Sequence, residues 1–194
     1  MATFNIATCN CAGMADSTRR TALLNLFRKL PVQIICVQET HSRPENEAKW
    51  AREWAPVVVI LNSATNVANA QNGVAIFINH SNLQVSAVKR DLNGRVISMA
   101  VSTRLSTIQL IKIYAPANTI ANKRSFFDSL HLHVTFKFPI IMAGDFNMLD
   151  RPDIDRYPPG ASKENSKTLI SLCNTFQLTD AFRTLYGDVR DYTR

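Results

Sequence analysis

Residues 139–147 read PIIMAGDFN, and residues 32–41 read VQIICVQETH. Each stretch contains a short, continuous apolar run, and the run at residues 32–38 is typical of a strand covered on both faces. Each run ends close to a carboxylate, Asp145 in the first stretch and Glu39 in the second. An unpaired carboxylate at the end of a buried strand is costly, and a hard divalent cation offsets that cost because Mg²⁺ prefers carboxylate oxygens. The two stretches therefore predict a buried sheet with chemistry at its strand ends.

Two further polar clusters follow predicted strands, NCAG at residues 10–13 and YAPAN at residues 114–118. Functional residues often collect at the ends of strands because the scaffold holds them in place. Taken singly, each polar residue is also compatible with an ordinary exposed position. Tyr114 in particular is compatible with an aromatic residue at the boundary between core and water. The four clusters together favour a site.

The remaining periodicity predicts alternating strands and helices. We predict strands at residues 3–10, 32–38, 57–61, 73–79, 85–91, 95–102, 107–114 and 139–145. We predict helices at residues 17–30, 45–55, 123–134 and 165–176. Asn93-Gly94 predicts a hairpin turn in which both central residues have positive φ. Many strands joined by hairpins, with helices to cover them, predict two packed sheets with outer helices.

Composition limits the function further. A chain of 194 residues predicts one domain over residues 1–194. The net charge of +7 favours an anionic partner, nucleic acid first. The four cysteines are interpreted as small buried side chains in a reducing compartment. The sequence has no signal-peptide pattern and no membrane-spanning run, so we expect an intracellular protein that does not bind membranes, in the nucleus or the cytoplasm.

The four clusters resemble, in order and spacing, the exonuclease–endonuclease–phosphatase superfamily with the DNase I-like fold. Together with the hairpin Lys89-Arg90-Asp91…Gly94-Arg95, they are most similar to endonuclease domains of non-LTR (LINE-type) retrotransposons. The resemblance implies an α/β fold, a four-layered α/β/β/α sandwich. It also implies Mg²⁺ or Mn²⁺ as cofactor, DNA as partner, and hydrolysis of phosphodiester bonds. The resemblance implies that Glu39 and Asn10 bind the metal and that Asp145 activates the attacking water. It also implies that Asn147 and Tyr114 donate hydrogen bonds to the phosphate, and it places Asn10 among the catalytic residues as well.

Members of this family also carry a C-terminal segment with a Ser-x-x-Asp-His-like motif, whose His acts on the scissile phosphate. The sequence ends at Arg194 without it, and residues 191–193 resemble the strand before it. We therefore expect a domain that is incomplete at its C-terminus, lacks the last strands and turns over weakly. The alternatives are an inactive remnant and a phosphatase of phospholipids or sugar phosphates on the same fold. We expect a monomer that belongs to a larger reverse-transcriptase polyprotein.

Overall fold

The computed structural model describes residues 4–54, 59–65, 72–149, 151, 153–155 and 163–190. The strands are β1 (Ile6–Asn10), β2 (Ile34–Gln38), β3 (Val59–Ser63), β4 (Val74–Ile78), β5 (Gln84–Arg90), β6 (Val96–Ser102), β7 (Thr107–Tyr114) and β8 (Ile140–Asp145). The helices are α1 (Ser17–Lys29), α2 (Asn46–Trp54), α3 (Ile120–Ser129), α4 (Lys163–Phe176) and α5 (Ala181–Tyr186), with a 3₁₀ helix at Leu130–His133 after α3. Within these ranges, none of the helices has the length and apolar character needed to cross a membrane.

The chain divides into two compact units. The first unit is Met1–Tyr114 with Leu132–Asp145, and the second is Ala115–His131 with Phe146–Arg194. The prediction of one domain over residues 1–194 stays a prediction, as does the loss of C-terminal strands.

All eight described strands belong to the first unit and form two sheets. One sheet has the order β1-β2-β4-β3, and the other has the order β5-β6-β7-β8. β1 and β2 are parallel, and so are β7 and β8, while the other neighbours are antiparallel. Each parallel pair brings two carboxyl ends to the same edge of its sheet.

Two apolar clusters hold the first unit together, and alternate residues of β2 contribute to each. Ile34 and Cys36 join a cluster shared by the two sheets. Ile35 and Val37 join a second cluster that α1 and α2 cover, with Leu24, Phe27, Trp50, Trp54 and Phe77. The residues of β2 are buried along its whole length, so the prediction of a strand covered on both faces is confirmed. Helices, a sheet and a second sheet thus form three successive layers here, and the predicted α/β class with two packed sheets is confirmed.

Two local predictions need correction. The third helix begins at Ile120 rather than at residue 123, because the Thr119 side chain caps it by accepting from the Asn122 amide. The hairpin between β5 and β6 has positive φ at Gly94 (67°) and not at Asn93. Its loop is organised instead by Asp91, whose carboxylate accepts from the amides of Asn93, Arg95 and Val96.

The second unit contains α3, α4 and α5. The sequence did not predict α5, which is short and is capped by Asp180 through the Arg183 amide. Arg183 also pairs with Asp155. Residues 191–193, the predicted beginning of a strand, lie outside the described residues.

Candidate active site

The four predicted clusters follow the carboxyl ends of β1, β2, β7 and β8. Asn10 is the register partner of Gln38, the residue before Glu39. Tyr114 is the register partner of Asp145. The parallel pairing within each sheet therefore places these predicted site residues in two adjacent pairs, as expected for strands that end together.

A hydrogen bond across the two sheets joins Glu39 to Tyr114. The Tyr114 hydroxyl donates to Glu39 Oε1 at 2.9 Å. Burial and this bond raise the pKa of Tyr114 to about 12, and the charge of Asp145 acts in the same direction. Tyr114 is consequently a neutral hydrogen-bond donor at physiological pH. Its hydrogen bond to Oε1 orients the Glu39 carboxylate, and Oε2 is the carboxylate oxygen outside this bond.

Arg95 contacts the Tyr114 ring and the Tyr114 backbone. Its guanidinium lies 5.1 Å from the centre of the Tyr114 ring. Nη1 donates to the Tyr114 carbonyl oxygen at 3.1 Å, and Nη2 donates to Asn72 Oδ1 at 2.9 Å. Burial lowers the pKa of Arg95. The sequence singled out the hairpin that carries Arg95 as part of the resemblance but assigned the side chain no role.

Asn10 organises the loop that follows β1. Its Oδ1 accepts from the Ala12 amide at 3.0 Å, and the side chain is exposed. Gly13, with φ of 99°, then donates its amide to the Glu39 carbonyl oxygen at 2.7 Å. The loop after β1 is thus fastened to the end of β2, and Asn10 lies next to the Glu39 segment.

Gly144 allows β8 to approach β7 closely, directly before Asp145. A Cβ atom at Gly144 would overlap the Ile113 carbonyl oxygen and lie 2.9 Å from its carbon. The φ of Gly144 is 148°, a region that side chains other than hydrogen rarely adopt. Glycine at position 144 therefore permits the close approach of β8 to β7. Asp145 itself is half-buried.

Asn147 does not continue the strand. The spacing of two residues predicts that an extended backbone turns Asp145 and Asn147 to the same side, and this prediction is wrong. β8 ends at Asp145, and Asn147 has a φ of 49°. Asn147 belongs to the second unit, where its Nδ2 donates to the Ala115 carbonyl oxygen at 2.8 Å and its own carbonyl accepts from Lys123 at 2.6 Å. Its catalytic role stays a prediction.

Lys112 is a charged residue that sequence reasoning missed. It lies in the middle of the apolar strand β7 with 0% of its surface exposed. Its Nζ donates to Gln38 Oε1 and, at 3.2 Å, to Thr8 Oγ1. Burial lowers the pKa of Lys112 from 10.5 to about 8. The signal in the sequence was a single lysine within TIQLIKIY, a strand whose other residues are uncharged.

The donor chemistry fits a hard divalent cation. Glu39 supplies one half-buried carboxylate, and Asn10 on the adjacent strand supplies an amide oxygen. Among the described residues, no group of three His, Cys, Asp or Glu side chains could hold a metal. One carboxylate with an amide oxygen suits Mg²⁺, which keeps most of its waters and binds through one or two carboxylates.

Comparisons with known proteins agree with this geometry. The chain matches the model of the endonuclease/exonuclease/phosphatase family over residues 2–193. A transposon TX1 uncharacterized 149 kDa protein from Xenopus laevis is 28% identical over 183 residues, which are 92% of this chain and 14% of that protein. The chain therefore spans well under two thirds of that relative.

Two solved structures share the fold. The AP endonuclease LMAP from Leishmania major has a TM-score of 0.74 at 19% identity, and the match covers 95% of this chain and 70% of the LMAP chain. The endonuclease domain of TRAS1, a telomere-specific non-LTR retrotransposon, has a TM-score of 0.59 at 15% identity, and the match covers 97% of this chain and 82% of the TRAS1 chain. The family match confirms the resemblance to the exonuclease–endonuclease–phosphatase superfamily that was drawn from the sequence, and the similarity to a transposon protein agrees with its retrotransposon type. The chain belongs to the endonuclease/exonuclease/phosphatase family of nuclease- and phosphatase-type hydrolases.

Proposed function

We propose that the chain is a divalent-metal-dependent DNA endonuclease domain of a retroelement. The observation that carries the proposal is the Tyr114–Glu39 hydrogen bond of 2.9 Å beside Asp145, the register partner of Tyr114. It provides an oriented carboxylate for a cation and a second carboxylate for water, which are groups that metal-assisted phosphodiester cleavage requires.

Each residue has one role in this proposal. Glu39 and Asn10 hold Mg²⁺ or Mn²⁺, which supplies Lewis-acid stabilisation of charge on the phosphate when it is bound. Asp145 orients the attacking water and accepts its proton. Tyr114 holds Glu39 in place and remains protonated because its pKa is about 12. Arg95 keeps the Tyr114 ring in position through the contact at 5.1 Å.

Charge supports DNA as the substrate. The chain has 22 Lys and Arg against 15 Asp and Glu, a net charge of +7. Neutralisation of DNA phosphates by such a surface releases counterions, so affinity falls as salt rises. We also propose that the domain acts within a larger polyprotein, since the Xenopus laevis transposon protein is about 149 kDa and the matched part is 14% of it.

The direct test is nicking of supercoiled plasmid in the presence of Mg²⁺. Asp145→Asn and Glu39→Gln should abolish nicking, because each removes a carboxylate of the site at little change in volume. Asp128→Asn and Glu45→Gln are matched controls at exposed positions and should nick like the unmodified chain. Nicking that persists in Asp145→Asn would refute the proposal.

Two further measurements separate the alternatives. Mg²⁺ or Mn²⁺ should raise the melting temperature of the unmodified chain, because a ligand that binds the folded state stabilises it. The same ions should not raise the melting temperature of Glu39→Gln, which lacks the metal-binding carboxylate. Release of phosphate from a sugar phosphate or phosphoinositide, without nicking and without salt-dependent DNA binding, would instead identify a phosphatase. A metal-induced shift with neither activity would identify an inactive remnant.

A further inference from the structure

Lys112 is a buried charge with neutral partners. Its hydrogen bonds go to Gln38 and Thr8, and none of the ion pairs among the described residues includes it. A buried ammonium without a carboxylate partner costs stability, and an apolar residue of similar size would avoid that cost. Its place in β7 therefore requires an explanation other than stability.

The three hydrogen-bonded residues lie on three strands, each just before a residue of the candidate site. Thr8 precedes Asn10 by two residues on β1, and Lys112 precedes Tyr114 by two residues on β7. Gln38 ends β2 and directly precedes Glu39. Residues two apart on a strand point to the same face, so Asn10 and Tyr114 extend from the faces that carry Thr8 and Lys112.

The ammonium also lies against the fourth strand. A Cβ atom at Gly144 would lie 3.0 Å from Lys112 Nζ, so β8 passes the ammonium one residue before Asp145. The charge of Asp145 raises the pKa of Lys112, against the larger lowering by burial. Lys112, which is itself on β7, thus forms hydrogen bonds to β1 and β2 and lies against β8, the other three strands that end in the candidate site.

We propose that Lys112 is a positioning residue for phosphodiester cleavage, which holds β1, β2, β7 and β8 at the spacing that Asn10, Glu39, Tyr114 and Asp145 require. Its catalytic part rests on the endonuclease function proposed above. Lys112 is fully buried and does not touch DNA. Its removal should therefore act on the rate of the chemical step and not on substrate binding.

The test uses a pair of apolar replacements, Lys112→Met and Gln38→Met. Lys112→Met alone removes one of the two donors to Gln38 Oε1, the other being the Thr8 hydroxyl at 3.3 Å. The double variant removes the lysine and its buried amide partner together and should fold with a melting temperature at or above that of the unmodified chain. We expect the double variant to lose about 10- to 100-fold in kcat for plasmid nicking, because small displacements of catalytic groups have effects of this size. KM for the plasmid should stay within about twofold, since phosphate contacts at the surface are retained.

Gln109→Met is the matched control. Gln109 is a buried polar residue on the same strand, and it bonds Ser98 and the His133 carbonyl instead of β1 or β2. Its replacement should lower stability and leave kcat of the folded protein unchanged. A folded double variant with the kcat of the unmodified chain would overturn the positioning role.

A second readout does not depend on nuclease activity. The coupling free energy between Tyr114→Phe and Glu39→Ala, obtained from urea unfolding of the single and double variants, measures the Tyr114–Glu39 hydrogen bond. This coupling should be present in the unmodified background and lost in the Gln38→Met/Lys112→Met background. Equal coupling in both backgrounds would also overturn the role. If the unmodified chain does not nick DNA at all, the endonuclease proposal fails, and the coupling alone decides whether Lys112 positions these residues.

Discussion

Gly144→Ala tests the closest backbone approach in the candidate site. The new Cβ would overlap the Ile113 carbonyl oxygen and lie 3.0 Å from Lys112 Nζ, at a φ of 148°. The backbone conformation costs a side chain roughly 1–3 kcal/mol. Forcing an extra carbon into a packed contact costs about 1–3 kcal/mol more. We expect a total loss of about 2–6 kcal/mol, a large part of the roughly 5–15 kcal/mol that stabilises a typical domain.

The assay is urea unfolding followed by circular dichroism. Gly187→Ala is the matched control, because Gly187 also has positive φ (59°) but has no heavy atom within 4 Å of an added Cβ. The control should lose about 1–3 kcal/mol from backbone conformation alone, because φ of 59° with ψ of −124° is a region that residues other than glycine rarely adopt. The difference between the two variants measures the close approach of β8 to β7. Equal losses in both variants would refute the steric reasoning, and Gly144→Ala that is as stable as the unmodified chain would refute the strain as well.

Three further predictions concern buried charges and thiols. Burial lowers the pKa of Lys112 to about 8, whereas the lysine has a pKa of 10.5 in the unfolded chain. Between these two pH values the unfolded chain binds more protons than the folded chain, so the contribution of Lys112 to the free energy of unfolding becomes more favourable as pH rises. The free energy of unfolding of the unmodified chain, relative to that of Lys112→Met, should accordingly rise by roughly 3 kcal/mol between pH 7.5 and pH 10.5, and a pH-independent difference in unfolding experiments would contradict this. Arg20 is buried and bonds Glu53 through two nitrogens at 2.6 and 3.0 Å, so Arg20→Ala should lose about 2–4 kcal/mol by urea unfolding, whereas exposed Arg52→Ala should lose less than about 0.5 kcal/mol. Burial raises the pKa of Cys36 to about 11, so iodoacetamide at pH 8 should leave Cys36 unmodified in the native protein and alkylate it in urea, as mass spectrometry can show.

Local patterns in the sequence predicted most of the fold. The apolar run before Glu39 indicated a strand covered on both faces, and β2 does contribute alternate residues to two apolar clusters. The periodicity of residues 17–30 predicted α1, which spans Ser17–Lys29. Such features are determined by neighbouring residues because side-chain direction repeats every two residues in a strand and every 3.6 in a helix. Helix α5 was missed because its six residues are too short for a periodic pattern.

The sequence also identified the strand ends that carry the candidate site. Carboxylates directly after apolar runs are recognisable without any structure, and so is a glycine that precedes one of them. It did not predict the left-handed backbone at Asn147, because this conformation ends β8 through contacts that no local pattern records.

Only the tertiary structure determined how the site is connected. Tyr114 and Glu39 are 75 residues apart, and Lys112 and Thr8 are 104 residues apart. Arg95 reaches Tyr114 because β6 and β7 pair in a register that brings the beginning of one strand to the end of the other. These contacts depend on strand order, register and the packing of one sheet on another. Chain entropy opposes every such long-range pairing, and the free energy that selects one of them comes from burying the whole core, so no segment of the sequence determines it alone.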